Sequence, residues 1–164
     1  PDLPKNLLIK AKKLKAIINV ESNFINNMDY QYCFKKGIHV IATSPVFSKP
    51  VAEIALGMTL SLLRNIHTAH LDFIKGKEKY GLESNLKASL LSEKKIGLLG
   101  FGDLAKSLYP LLLPFTKDIN VYDPWIPKIK IKKLGFKTIS LSKMFENCEI
   151  IYCLLYTSPS PRDT

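Results

Sequence analysis

Apolar positions along this chain fall into two rhythms, short runs at strand length and longer stretches at helical spacing. Leu3, Leu7 and Leu8 mark one side of a short helix over Leu3 to Lys13. Lys15-Ala-Ile-Ile-Asn-Val20 reads as a strand, Glu21 to Asn27 as a polar turn, and Met28 to Lys36 as a helix with Gly37 in the C-cap place. Ile38 to Ala42 follows as a second strand. Strand, helix, strand in that order predicts parallel pairing through a right-handed crossover.

Thr43 to Ser48 reads as a loop, and Pro50 suits the first turn of the helix after it, where a missing N–H does no harm. Val51 to Ile74 carries the longest periodic pattern. Ile54, Met58, Leu62 and Ile66 form one stripe, which Leu56, Leu60 and Leu63 widen. So broad an apolar face predicts a helix buried twice, against its own domain and against a partner. Gly76 to Lys94 is polar and reads as a connection between domains. Ile96 to Leu99 then has the uniform apolarity of a central parallel strand. A helix starts near Asp103, to be ended or kinked by Pro110 and Pro114. A strand around Ile119 and Val121, a helix over Lys128 to Leu134, a strand over Phe136 to Ile139, a helix over Ser142 to Asn147 and a strand over Glu149 to Tyr152 complete the pattern.

The junction after Ile96–Leu99 carries the candidate chemistry. Gly100 and Gly102 open a G-x-G-x-x-G/A fingerprint whose third position is Ala105. The first glycine permits a tight turn and the second lets backbone approach a pyrophosphate. A small third residue lets the helix pack close to the strand, and the opening helix residues Asp103, Leu104 and Ala105 offer N–H groups at its positive end. Such a string also occurs by chance, so context has to carry it. An apolar helical pattern follows (Leu104, Leu108, Leu111, Leu112), and Asp123 closes the next strand about 20 residues on. Its carboxylate would accept hydrogen bonds from an adenosine ribose and repel a 2′-phosphate, which favours NAD over NADP. Asp123 also opens an Asp-Pro turn, a purely structural reading of the same residue.

With 164 residues the chain holds one domain or pieces of two, at 46% hydrophobic and 23% charged residues. A net charge of +10 raises the question of nucleic acid. The basic residues are nearly all Lys, dispersed in pairs such as Lys12-Lys13, Lys94-Lys95 and Lys132-Lys133. Bidentate phosphate recognition and base stacking would call for Arg and clustered aromatics. No nucleic-acid partner is expected. No apolar run reaches the ~20 residues of a membrane span, and no leader pattern is present, so no membrane partner is expected either. Cys33, Cys148 and Cys153 have no metal or redox spacing, and the expected setting is cytoplasmic, with no metal. The chain begins at Pro1 without Met, and residues 153–164 resemble the translation of a transposase sequencing adapter. The expectation is a fragment whose native sequence ends near Tyr152.

Taken in order, Leu14-Lys-Ala-Ile, Gly37-Ile-His-Val, Pro50-Val-Ala-Glu53, Leu63-Arg-Asn-Ile66, Gly97-Leu-Leu-Gly-Phe-Gly102 and Val121-Tyr-Asp-Pro124 resemble the D-isomer-specific 2-hydroxyacid dehydrogenases, the group with D-3-phosphoglycerate dehydrogenase-like members. The resemblance implies an α/β fold: an incomplete flavodoxin-like substrate domain over residues 1–48, an interdomain helix and connection over 49–92, and the first half of an NAD-binding Rossmann domain over 93–152. It implies hydride transfer between nicotinamide C4 and C2 of a small 2-hydroxy or 2-oxo acid, with NAD in the cleft and a homodimer when full-length. A non-catalytic NAD(H)-binding sensor, a corepressor-like dimer on the same fold, is the alternative. The family's catalytic Arg, Glu and His would lie after the end of this sequence, so no catalytic residue is assigned, and His39, His67 and His70 are not substitutes. Where the family carries a glycine-rich substrate loop, this chain has Asn19 to Asn27 with no glycine, which leaves Ser22 and Asn23 as candidates for substrate contact.

Overall fold

The computed structural model describes residues 2–20 and 26–155. Two compact units divide the chain, Pro1–Ser48 and Lys49–Thr164. The first contains α1 (Lys5–Lys10), β1 (Ala16–Asn19), α2 (Tyr30–Lys35) and β2 (His39–Ala42). Asp29 starts α2 by accepting the Tyr32 N–H at 2.9 Å. Gly37, at φ +70°, ends it. The Gly37 N–H bonds the Phe34 carbonyl and the Ile38 N–H the Cys33 carbonyl, which closes the helix and turns the chain into β2. The two strands pair in parallel, Ala16 opposite His39 and Asn19 opposite Ala42, as strand–helix–strand order requires. Leu8, Cys33 and Ile38 form the core, while Ile18 and Ile41 leave the other sheet face exposed.

A helix, α3 (Ser44–Leu63), carries the chain into the second unit. It corrects two expectations. The segment expected as a loop over Thr43 to Ser48 is already helical from Ser44, because Pro45 and not Pro50 occupies the first turn, where no N–H is needed. Pro50 therefore stands inside the helix. The pattern expected to run unbroken to Ile74 divides instead. Asn65 adopts a left-handed φ of 53°, Ser89 N–H takes the Leu63 carbonyl at 2.8 Å, and α4 (Ile66–Ile74) starts afresh. At 20 residues, with a mean hydropathy of 1.4 over its most apolar stretch, α3 also meets the length and composition of a membrane span, a test that the core helix of a globular protein meets too. One of its faces, with Ala52, Ala55, Leu56, Leu60 and Leu63, packs on the core of its own unit.

After α5 (Leu82–Asn85) and a 3₁₀ turn at Leu91–Glu93 comes an alternating array: β3 (Ile96–Leu99), α6 (Asp103–Leu112), β4 (Ile119–Tyr122), α7 (Lys128–Lys133), β5 (Lys137–Thr138), α8 (Leu141–Asn147) and β6 (Ile150–Cys153). Helix α6 passes through Pro110 and stops at Leu112, two residues before Pro114. The strands form one parallel sheet in the order β5-β4-β3-β6. Register places Leu98 between Val121 and Tyr152 on one face, where they join Ile96, Ile119 and the α6 residues Ala105, Leu108 and Leu112 in the main core. Gly97 points to the opposite face, against Met144 and Cys148 at the end of α8. Strand β6 runs one residue past the expected end because its ladder to β3 uses main-chain groups, which any side chain permits.

Candidate functional site

The order β5-β4-β3-β6 reverses direction between β3 and β6. Successive strands move outward on one side of β3, and the chain then crosses back to its other side. In open parallel sheets this reversal leaves a crevice beyond the carboxyl ends of the two strands, where ligands bind. The glycine turn stands there. Gly100 follows β3 with φ +104°, a conformation that L side chains rarely adopt. A Cβ on it would come 2.9 Å from Leu155 Cδ2 and 3.1 Å from the Leu154 carbonyl carbon, so the position is glycine for two reasons. Gly102, the N-cap of α6, faces open space with nothing within 4 Å of a built Cβ.

The α6 N-terminus has no side-chain cap. Its first intrahelical bond runs from Lys106 N–H to the Gly102 carbonyl at 3.1 Å, so the amides of Asp103, Leu104 and Ala105 precede the ladder and have no partner among the described residues. Ala105 is fully buried in the core, the close helix–strand packing that a small third residue allows. Asp103 places a carboxylate in the first turn of the same helix.

Asp123 ends β4 beside this turn. Its Oδ2 accepts the Phe101 N–H at 2.8 Å, and its Oδ1 accepts the N–H groups of Trp125 and Ile126, each at 2.8 Å. The structural and the functional readings of Asp123 thus meet in one side chain: it closes the Asp-Pro turn and stands at the mouth of the glycine bend. A carboxylate has about four acceptor positions, so Oδ2 keeps capacity for a further donor. Phe101 is a site residue that sequence reasoning did not single out. Its ring is buried edge-on to Phe136 at 4.6 Å, with Tyr109 against Phe136 at 4.4 Å, and Lys106 lies 5.9 Å from the Phe101 centroid. The signal is legible in principle, since a large aromatic between two glycines has to go into a core or into a ligand.

A glycine at positive φ, an unobstructed second glycine, uncapped helix amides and a carboxylate one strand away are the donor and acceptor set that an adenosine diphosphate needs, so the residues present fit a dinucleotide. Ser22 and Asn23, the substrate candidates, lie outside the described residues. His39 is on β2 in the first unit, and His67 and His70 are on α4; none is among the residues at the glycine bend.

Residues 56–164 match the family described as D-isomer specific 2-hydroxyacid dehydrogenase, NAD binding domain. The chain is 31% identical over 144 residues to a hydroxypyruvate reductase of Thermotoga maritima, covering 88% of this chain and 45% of that protein. Among solved structures, a phosphoglycerate oxidoreductase from Rhizobium etli superposes with a TM-score of 0.78 at 42% identity over 92% of this chain and 47% of that one. A D-lactate dehydrogenase from Aquifex aeolicus, solved with NAD and lactic acid, gives a TM-score of 0.70 at 25% identity over 92% of this chain and 44% of that one. The chain thus spans about half the length of the relatives it matches. With the glycine bend at the strand-order reversal and the family match agreeing on the same segment, the chain belongs to the D-isomer specific 2-hydroxyacid dehydrogenases, through their NAD-binding domain.

Proposed function

We propose that this chain holds NAD at the β3–β6 reversal, and that the protein to which it belongs transfers hydride between nicotinamide C4 and C2 of a small 2-hydroxy or 2-oxo acid. The observation that carries the reading is the placement of Asp123 at the mouth of the Gly100–Gly102 bend on a parallel neighbour of β3. Gly100 and Gly102 would let the diphosphate approach, and the amides of Asp103, Leu104 and Ala105 would receive it. Asp123 would accept from the ribose. NAD, when bound, supplies the hydride acceptor or donor; what this chain's residues do is orient it and hold its charge. The named relatives are a reductase, an oxidoreductase and a dehydrogenase, which supports an enzyme over a non-catalytic sensor.

The finer parts of the reading are a cytoplasmic setting, with small acids and a second copy of the chain as partners and neither nucleic acid nor membrane. The test is a fluorescence titration of the chain with NADH and NADPH. NADH is expected to bind at least about tenfold more tightly, because NADPH exchanges one charge-assisted hydrogen bond for repulsion between its 2′-phosphate and the carboxylate. Asp123→Ala narrows that gap. Equal affinity for both nucleotides in the unaltered chain would overturn the assignment of Asp123, and no binding of either would overturn the site.

A further inference from the structure

We propose that Asp123 is a positioning residue for the glycine bend, holding the Phe101 amide, and with it Gly100 to Gly102, in the cofactor-ready shape before any nucleotide arrives. This rests on the reading of the bend as a dinucleotide site, and it gives Asp123 a duty that the ribose contact does not include.

Phe101 lies between two glycines, so the peptide planes on either side of it meet little steric resistance to rotation. The buried ring fixes where the Phe101 side chain goes, through Phe136, but a side-chain contact does not choose the direction of an N–H. Two successive hydrogen bonds do. Gly100 N–H bonds the Tyr122 carbonyl at 2.7 Å, and Phe101 N–H bonds Asp123 Oδ2 at 2.8 Å. Both acceptors sit at the carboxyl end of β4. The first merely continues the strand pairing, whereas the second is a side-chain clamp across the bend, worth more because its acceptor is charged.

The other oxygen anchors the clamp. Trp125 and Ile126 N–H groups hold Oδ1, so the carboxylate cannot swing away from Phe101 without breaking its own turn. An asparagine at this position separates the two duties. Its carbonyl oxygen keeps Trp125 and Ile126, while its NH₂ faces the Phe101 N–H donor to donor. The bend loses its acceptor even though a polar group remains for a ribose hydroxyl.

The deciding measurement is amide hydrogen exchange by NMR on the 164-residue chain with no nucleotide present. In the unaltered chain Phe101 is expected to exchange at least about tenfold more slowly than Asp103 and Leu104, whose amides precede the helix ladder. In Asp123→Asn that protection falls about tenfold or more, while Ile96, whose N–H bonds the Asp118 carbonyl, stays protected and reports an intact sheet. Phe101 exchanging as fast as Asp103 in the unaltered chain overturns the proposal, and so does unchanged protection in a folded Asp123→Asn. If that variant loses the Ile96 protection as well, the unaltered-chain comparison decides alone. A chain that protects Phe101 yet binds no NADH keeps the clamp and refutes the dinucleotide site.

Discussion

Asp103 and Asp123 flank the same glycine bend, and their carboxylates differ in what holds them. Asp123 accepts three N–H groups. Asp103 has no such company among the described residues; it occupies the first position of α6, where a carboxylate gains about 0.3–1 kcal/mol from the helix dipole. The same dipole is what a diphosphate would use. Asp103 therefore stabilises the protein and weakens the site. Asp103→Asn is expected to lower stability by roughly 0.5 kcal/mol and to tighten NADH binding about two- to fivefold. Urea denaturation and a fluorescence titration at low salt check the two halves. The affinity gain should shrink in half-molar salt, since the charge is screened there. A variant that loses stability and affinity together would mean that Asp103 supports the turn instead of opposing the ligand.

Between elements, one of the contacts that tie α3 to the sheet is polar. Thr59 donates its hydroxyl to the Ala55 carbonyl at 2.8 Å, so Tyr152 on β6 is the donor in the 2.7 Å bond between the two hydroxyls. Both side chains are buried. Burial pushes the Tyr152 phenol above its usual 10.0, and the Thr59 hydroxyl offsets part of that by turning to donate to the phenolate once the proton has left. The unfolded phenol thus ionises first as pH rises. Above about pH 10 the unfolded state holds fewer protons than the folded one, and stability falls until the folded phenol ionises as well. Tyr152→Phe should cost about 1 kcal/mol at neutral pH and flatten the alkaline limb of the urea midpoint against pH. An unchanged limb would assign the alkaline loss to other groups. A second prediction belongs to Gly97, where a Cβ would lie 2.8 Å from Met144 Cγ and 3.3 Å from Cys148 Sγ. Met144 is fully buried and would have to change rotamer to make room, so Gly97→Val should cost about 1–3 kcal/mol by overpacking, read from the thermal midpoint.

How much of this is legible in the chain follows from where the information lies. The glycine bend is a local signal, and the parallel strands and the Asp123 carboxylate follow from one strand–helix–strand order, with the acid about 20 residues after the glycines; the structure has them together. The start of α3 escapes a reading of the sequence because two prolines compete for its first turn, and only the fold shows that Pro45 takes it. The break at Asn65 depends on Ser89, far along the chain, supplying an N–H to the Leu63 carbonyl; no short window of sequence contains both. The packing of Phe101 is out of reach for the same reason, since its partner Phe136 comes from the far side of α7, although its place between two glycines is visible locally.

At the scale of the whole molecule, α3 stands out, because its two faces are about equally apolar and only one is covered among the described residues. Ala52, Ala55, Leu56, Leu60 and Leu63 pack on the core of the second unit. Ile54, Met58 and Leu62, the stripe along α3, stay between 61% and 64% exposed, and Ile66, beyond the break at Asn65, is 54% exposed. An uncovered row of this kind on adjoining helices is unusual for a monomer and suits a second copy. The chain is expected to self-associate as its concentration rises, and Met58→Lys with Leu62→Lys to give a monomer with an unchanged helical circular dichroism signal, read by light scattering on a sizing column. Salt then separates an apolar interface from an electrostatic one. Each copy carries a net charge of +10, so two copies repel at low ionic strength. Screening removes the repulsion and leaves apolar burial intact. Association should therefore strengthen as salt rises from about 0.02 M to 0.5 M. Weakening over that range would show that charge holds the copies together, and it would take the α3 stripe out of the interface.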